Sequence, residues 1–233
     1  MYRRSGGLKA AAQEVLVVVV GILLAFGFDS WWTERDELDR ERYHLAALQS
    51  DFESTRDLLR ESLSTTLRGK HAAQSVLDAF DKGALGESSD SVYHWVFYAI
   101  NYEVFRPQRG AYDALVNSGE FDLLRDDDLR GALAAYFGTF DDARASEQIL
   151  LEDHREIFHS ELAEVIQIDR AARATMAGEP FPVPPSDVAR LERDPEFRRW
   201  MTALWKDHLD LEDDYRTLLG GAEVVLGNLR RAK

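Results

Sequence analysis

Phe197–Leu229, FRRWMTALWKDHLDLEDDYRTLLGGAEVVLGNL, is the stretch whose pattern decides the fold. Its core-forming positions are Phe197, Met201, Leu204, His208, Leu211, Tyr215, Leu218, Ala222, Val225 and Leu229, which alternate by four and three residues without a miss. That is the period of a helix that buries one seam along a bundle or coiled coil. Just ahead, Asp194, Pro195 and Glu196 supply a cap, a proline suited to the first helical position and an early acid, so the helix is predicted to start there. One seam needs others to cover it, and the rest of the chain is read for them.

Two further long stripes exist. From Thr33 to about Phe80 the chain has no proline, and Leu38, Leu45, Leu48, Phe52, Leu59, Leu63, Ala73, Leu77 and Phe80 recur at helical spacing. A second stripe runs through Leu129, Leu133, Phe137, Phe140, Leu151, Phe158, Leu162 and Val165. Asp126 is its expected N-cap, Asp127 and Asp128 sit where the helix dipole favours negative charge, and fraying is expected near Ala174. Between the long helices, Lys82–Ser91 reads as a break that leads into a short aromatic helix. Pro107 is expected to open a helix ending at Ser118, with Gly119 as a left-handed cap. Residues 178–186, GEPFPVPPS, are too rich in proline for regular helix and read as an extended connection to the final helix. The expected fold class is all-α: three long and two shorter helices in a mostly antiparallel bundle.

Towards the N-terminus, Val15–Phe28, VLVVVVGILLAFGF, carries no charged or hydrogen-bonding side chain. A bilayer core of about 30 Å needs roughly 20 helical residues, and extension back through Ala12, Ala11, Ala10 and Leu8 supplies them, with Lys9, Gln13 and Glu14 at the interface. Trp31 and Trp32 suit an interfacial belt, while Arg3, Arg4 and Lys9 on one side and Asp29, Glu34, Asp36, Glu37 and Asp39 on the other orient the segment. The expected organisation is therefore a cytoplasmic stub (1–7), a transmembrane helix with interfacial tryptophans (8–32) and an extracytoplasmic helical bundle (33–233). Ala25-Phe26-Gly27 loosely matches a cleavage site, but the apolar run leads straight into the tryptophan pair, which favours an uncleaved anchor. Gly21 and Ala25 lie one turn apart and are compatible with close helix pairing or with lipid-facing filler.

The formal charge of -14 is uneven, because residues 1–28 hold three basic groups and one acid, leaving -16 on the remainder. A body this acidic offers no broad basic surface for a nucleic-acid backbone, so nucleic acid is disfavoured and not expected as a partner. There is no cysteine, which removes disulfides, thiolate metal sites and cysteine nucleophiles. No nucleophile elbow or phosphate loop is present, and no cofactor is expected. Glu156 and His159 have the spacing used in di-iron bundles, but a second copy is lacking. His154 borders one stripe and His208 lies on another, so both are expected to be buried and bonded to a carboxylate such as Glu147 or Glu212. The aromatic crowd Tyr93, Trp95, Phe97, Tyr98, Tyr102 and Phe105 fits a bundle core; alternatively Tyr98, Tyr102, Arg106, Arg109 and Tyr112 form a pocket for an anion.

Two segments resemble a family of uncharacterised bacterial single-pass membrane proteins. They are Glu14–Trp32, EVLVVVVGILLAFGFDSWW, and Tyr112–Phe137, YDALVNSGEFDLLRDDDLRGALAAYF. The family usually carries asparagines before the tryptophan, where this chain has Asp29-Ser30. The resemblance implies an uncleaved anchor in a bacterial inner membrane and a helical outer domain, and it transfers no activity. The expected function is a non-enzymatic, membrane-anchored scaffold or interaction subunit, with the bilayer and either a protein partner or a second copy as its contacts. An extracytoplasmic small-ligand sensor is the alternative, and a metal-dependent enzyme has the least support.

Overall fold

The computed structural model describes residues 6–87, 89–159, 167–179, 181 and 184–232, and no strand occurs among them. The helices are α1 (Gly6–Asp81), α2 (Ser89–Ile100), α3 (Gly110–Ser118), α4 (Asp127–His159), α5 (Ile168–Ala177), α6 (Pro185–Arg193) and α7 (Pro195–Arg231), with a 3-10 turn at Phe121–Leu123. α1 alone has 76 residues, roughly 110 Å at ~1.5 Å per residue.

Cross-links fix the topology as up, down, up, down. Arg198–Asp81, Lys70–Glu212 and Arg60–Glu223 step along α1 and α7 in opposite directions. Tyr215–Glu147 and Asn228–Asp128 do the same for α4 and α7. The second leg is α2, an irregular segment over 101–109 and α3; it descends α1 through Thr55 to Gln108, Asp51 to Ala111, and Arg40 and His44 to Glu120. α4 then starts beside the lower part of α1, where Glu41 holds Arg125.

Two apolar cores lie end to end. The lower one joins Leu48, Phe52 and Leu59 to Leu129, Leu133, Tyr215, Leu218 and Val225. The upper one joins Ala73 and Val76 to Val92, Tyr93, Val96, Leu191, Phe197 and Leu204. Each fully buried Leu or Phe contributes ~1.5–3 kcal/mol of transfer free energy. Between the cores the buried face of α1 changes to Ser62, Thr66 and Gly69, and there polar groups replace apolar ones on the facing helices too.

Several local expectations hold: Asp126 caps α4 through the Leu129 N–H at 3.0 Å, Asp194 caps α7 through the Glu196 N–H at 2.8 Å, and Gly119 ends α3 at φ 72°. All ten seam positions of α7 are buried. Others are corrected. Pro107 does not open α3, because Thr55 of α1 holds Gln108 in the preceding irregular segment and Asp51 holds the Ala111 N–H, which together set the first turn at Gly110. Leu150 rather than Leu151 occupies the buried face of α4, the stripe having moved by one residue where Glu147 and His154 turn inward. α4 does not run towards Ala174: Gln167 adopts a left-handed conformation (φ 47°) and a separate helix, α5, follows. The side chains of Phe158, Leu162 and Val165 lie outside the described residues. The connection after Gly178 is not wholly extended either, since Pro185 occupies the first turn of α6, where a missing N–H costs nothing.

Below the bundle α1 continues with Leu16, Val18, Val19, Val20, Ile22, Leu23, Leu24, Phe26 and Phe28 at 45% to 70% exposure, followed by exposed Trp31 and Trp32. Among the described residues no helix is long and apolar enough to cross a membrane. The expected stub residues 1–5, and the side chains of residues 6–15 and of Val17, lie outside the described residues.

Candidate functional site

The buried polar belt between the two cores is built from α1, α4, α7 and the end of α2. Glu147 of α4 accepts the Tyr215 hydroxyl proton at 2.6 Å and the Phe105 N–H at 3.0 Å through the same carboxylate oxygen. Burial pushes its pKa up, opposed by those two bonds and by the charges of Arg106 and Arg144. Burial raises the Tyr215 phenol as well, reinforced by the carboxylate it serves.

Two turns further along α4, His154 Nδ1 lies 2.8 Å from the Leu150 carbonyl and its Nε2 meets the Ile100 carbonyl. His208 Nε2 lies 2.8 Å from the Ala99 carbonyl. Two imidazoles thus satisfy the last carbonyls of α2, which has no further turn of its own to do so. The expected carboxylate partners are corrected: Glu147 is taken by Tyr215, and Glu212 by Lys70 and Arg216. Those cations, Lys70 first, pull the Glu212 pKa down. Desolvation lowers the His154 pKa against the pull of its two carbonyls and lowers His208 to about 4. Asp207 is raised to about 7, by burial first and by the neighbouring Asp153 carboxylate second.

Outside the belt, the 101–109 segment and α4 leave an open cavity of about 370 Å³. Arg106, Arg109 and Arg144 line it, with Phe105, Phe140 and Leu151 as its apolar wall and Glu147 between. Arg109 is steered by Asp113, 3.0 Å from its Nε, and its guanidinium lies 5.2 Å over the Phe137 ring.

Of the five residues expected to form an anion pocket, the structure brings only Arg106 and Arg109 together. Tyr98 packs on the upper core with Arg68 over its ring, Tyr102 stands edge-on to His154, and Tyr112 lies tilted against Phe137 and edge-on to Phe121. Arg144 is the member that sequence reasoning missed. Its signal was present: it lies on the flank of α4 one turn before Glu147, but only the path of the 101–109 segment brings Arg106 opposite it.

Glu156 is exposed, and the side chain of His159 lies outside the described residues. Among the described residues no group of three or more His, Asp or Glu side chains is placed to hold a metal ion. The fold thus defines an all-α, four-legged bundle raised on one long helix. No family model, characterised protein or solved structure matches the chain.

Proposed function

We propose that the chain is a membrane-anchored helical interaction subunit, with residues 8–28 in the lipid, Trp31 and Trp32 at its outer boundary and the bundle held on the extracytoplasmic side of a bacterial inner membrane. The observation that carries this reading is the run of large apolar side chains from Leu16 to Phe28, exposed wherever they are described, on the same unbroken helix that forms the first leg of the bundle. An apolar surface of that extent left in water is unfavourable at ~25 cal/mol per Å², and no described residue of the bundle folds back to cover it. Charge supports the orientation, with the basic groups before the run and the acidic excess after it. The resemblance to single-pass proteins supports the same arrangement. Partners then meet the bundle through its flanks, where Ile149 and Val224 are exposed.

The test uses the full chain in cells, whose lack of cysteine permits a single label. Ser186→Cys is expected to react with a membrane-impermeant maleimide in intact cells, and the protein is expected to stay with membranes through an alkaline carbonate wash. A Val19→Lys, Leu23→Lys variant is expected to be released. Release of the unaltered chain, or protection of Cys introduced at Ser186 until the cells are lysed, refutes the anchoring. Photocrosslinkers at Ile149 and Val224 that give no discrete adduct refute the partner.

A further inference from the structure

We propose that the cavity between the 101–109 segment and α4 binds a small diffusible oxyanion, a phosphate or carboxylate carried on a compact apolar body. This goes beyond the anchored-subunit reading, and only its exclusion of a lipid headgroup rests on that reading. The first argument is charge. Many arginines of this acidic chain are engaged by carboxylates, as in Arg60 with Glu223, Arg198 with Asp81 and Arg199 with Glu196. Among the described residues Arg106 and Arg144 make no direct ion pair, Glu147 acting on both only at longer range, and both line one cavity. Arg109 adds a third guanidinium already oriented by Asp113 and by the Phe137 face, and planar guanidinium groups recognise carboxylate and phosphate by paired N–H donors.

The second argument is shape. A volume of about 370 Å³ lies in the range of small-ligand sites, ~300–1,000 Å³. Phe105, Phe140 and Leu151 offer one apolar wall to the part of the ligand that carries no charge. The third is the buried Glu147 between the arginines. Its carboxylate is already favoured towards the neutral form by burial, and an anion placed beside it favours that form further, so binding takes up a proton and tightens as pH falls. Finally, Thr55, which holds Gln108 of the cavity-forming segment, stands about 35 Å along α1 from Trp32 at ~1.5 Å per residue. A lipid headgroup at the tryptophan belt does not reach that height, so the ligand comes from solution.

The experiment is titration of the full chain in zwitterionic detergent with phenyl phosphate, inorganic phosphate, phenol and phosphatidylglycerol, read by calorimetry and by thermal unfolding. Phenyl phosphate is expected to bind saturably at a constant ionic strength, more tightly than inorganic phosphate, and phenol and phosphatidylglycerol are expected to show no saturable binding. Arg106→Gln and Arg144→Gln are each expected to weaken phenyl phosphate by about tenfold or more, the loss of one charge-assisted contact. Arg230→Gln, at the exposed end of α7, is expected to leave it unchanged. Glu147→Gln, which keeps an acceptor for Tyr215 and Phe105, is expected to bind more tightly and without the pH dependence. The proposal is overturned if phenyl phosphate produces no saturable signal, if Arg106→Gln and Arg144→Gln retain full helical circular dichroism and bind as well as the parent, or if Arg230→Gln weakens binding equally. Saturable binding of phosphatidylglycerol in place of phenyl phosphate assigns the site to lipid and overturns the diffusible ligand.

Discussion

Gly69→Ala tests the closest approach in the bundle. Gly69 is buried on α1 where α7 crosses it, and a Cβ there overlaps the His208 imidazole on three of its ring atoms. In an ordinary helix the change gains ~1 kcal/mol of helix propensity. Here the ring that must move is buried and bonded to the Ala99 carbonyl at 2.8 Å. Displacing it leaves that carbonyl unsatisfied, a cost of ~1–3 kcal/mol, and crowding adds ~1–3 kcal/mol. The balance is a net loss of about 2 kcal/mol, or a fall in Tm of ~4–8 °C for a body of this size. The assay is thermal and urea unfolding of the full chain in detergent, followed at 222 nm, in the parent and in a His208→Ala background. With the ring gone the same substitution recovers its propensity gain and stabilises by ~1 kcal/mol, so its sign reverses between backgrounds. A Gly69→Ala protein at least as stable as the parent, or an equal effect in both backgrounds, refutes the close-approach argument.

Asp207→Asn is expected to change how stability depends on pH. His208, with a folded pKa of about 4 against 6.5 unfolded, adds stability that is complete above pH 6.5 and lost as pH falls towards 4; between pH 7.5 and 5 this costs about 2 kcal/mol. Asp207, raised from 3.8 to about 7, acts in reverse, its contribution being present at low pH and lost as pH rises through 7, so over the same interval acidification offsets the loss at His208. The parent should therefore show a shallow profile, while the Asn variant should gain stability at pH 8 and lose it steeply between pH 6.5 and 5 in urea titrations; parallel profiles would falsify the assignment. Asp51→Ala removes the acceptor that holds the Ala111 N–H at 2.8 Å, and is expected to cost ~1 kcal/mol, with faster amide exchange confined to Gly110–Ser118. Gly119→Ala forces a side chain into φ 72° and should destabilise by ~1 kcal/mol, measured by the urea midpoint; a neutral result removes the need for glycine at that cap.

What the sequence makes legible is whatever a single periodic stripe or a local cap controls. The α7 seam, the α1 stripe and the caps at Asp126, Asp194 and Gly119 belong to this kind, because each depends on residues within a turn or two of one another. The errors share the opposite cause. Pro107 is a reasonable first helical residue, yet α3 starts at Gly110 because Thr55 and Asp51, more than fifty positions away, hold the backbone on either side of it at Gln108 and Ala111. His154 and His208 were expected to seek carboxylates, and they take backbone carbonyls at the end of α2 instead, since those carbonyls have no other donor. Proline density hid α6 because two prolines look like a breaker until the second falls in a first turn. The Arg106–Arg144 juxtaposition was invisible for the same reason, since it arises from an irregular segment whose path no periodicity records.

The belt explains why three long apolar stripes settle on one alignment. Seams of Leu, Val and Phe repeated every seven residues tolerate a slip of one heptad, because each knob finds an equivalent hole. No such slip is tolerated at mid-height. Moving α7 by one heptad along α1 separates Glu212 from Lys70 and takes His208 off Gly69, the buried position on α1 with no Cβ to obstruct its ring. Moving it along α4 takes the Tyr215 hydroxyl from Glu147 and leaves that buried carboxylate with the Phe105 N–H as its one remaining direct donor among the described residues. A buried charge that loses its partner costs ~3–5 kcal/mol, more than one slipped apolar contact recovers. The two apolar cores therefore supply the cohesion, and the polar residues between them, individually weak contributors to stability, set the register in which the cavity arginines come to face one another.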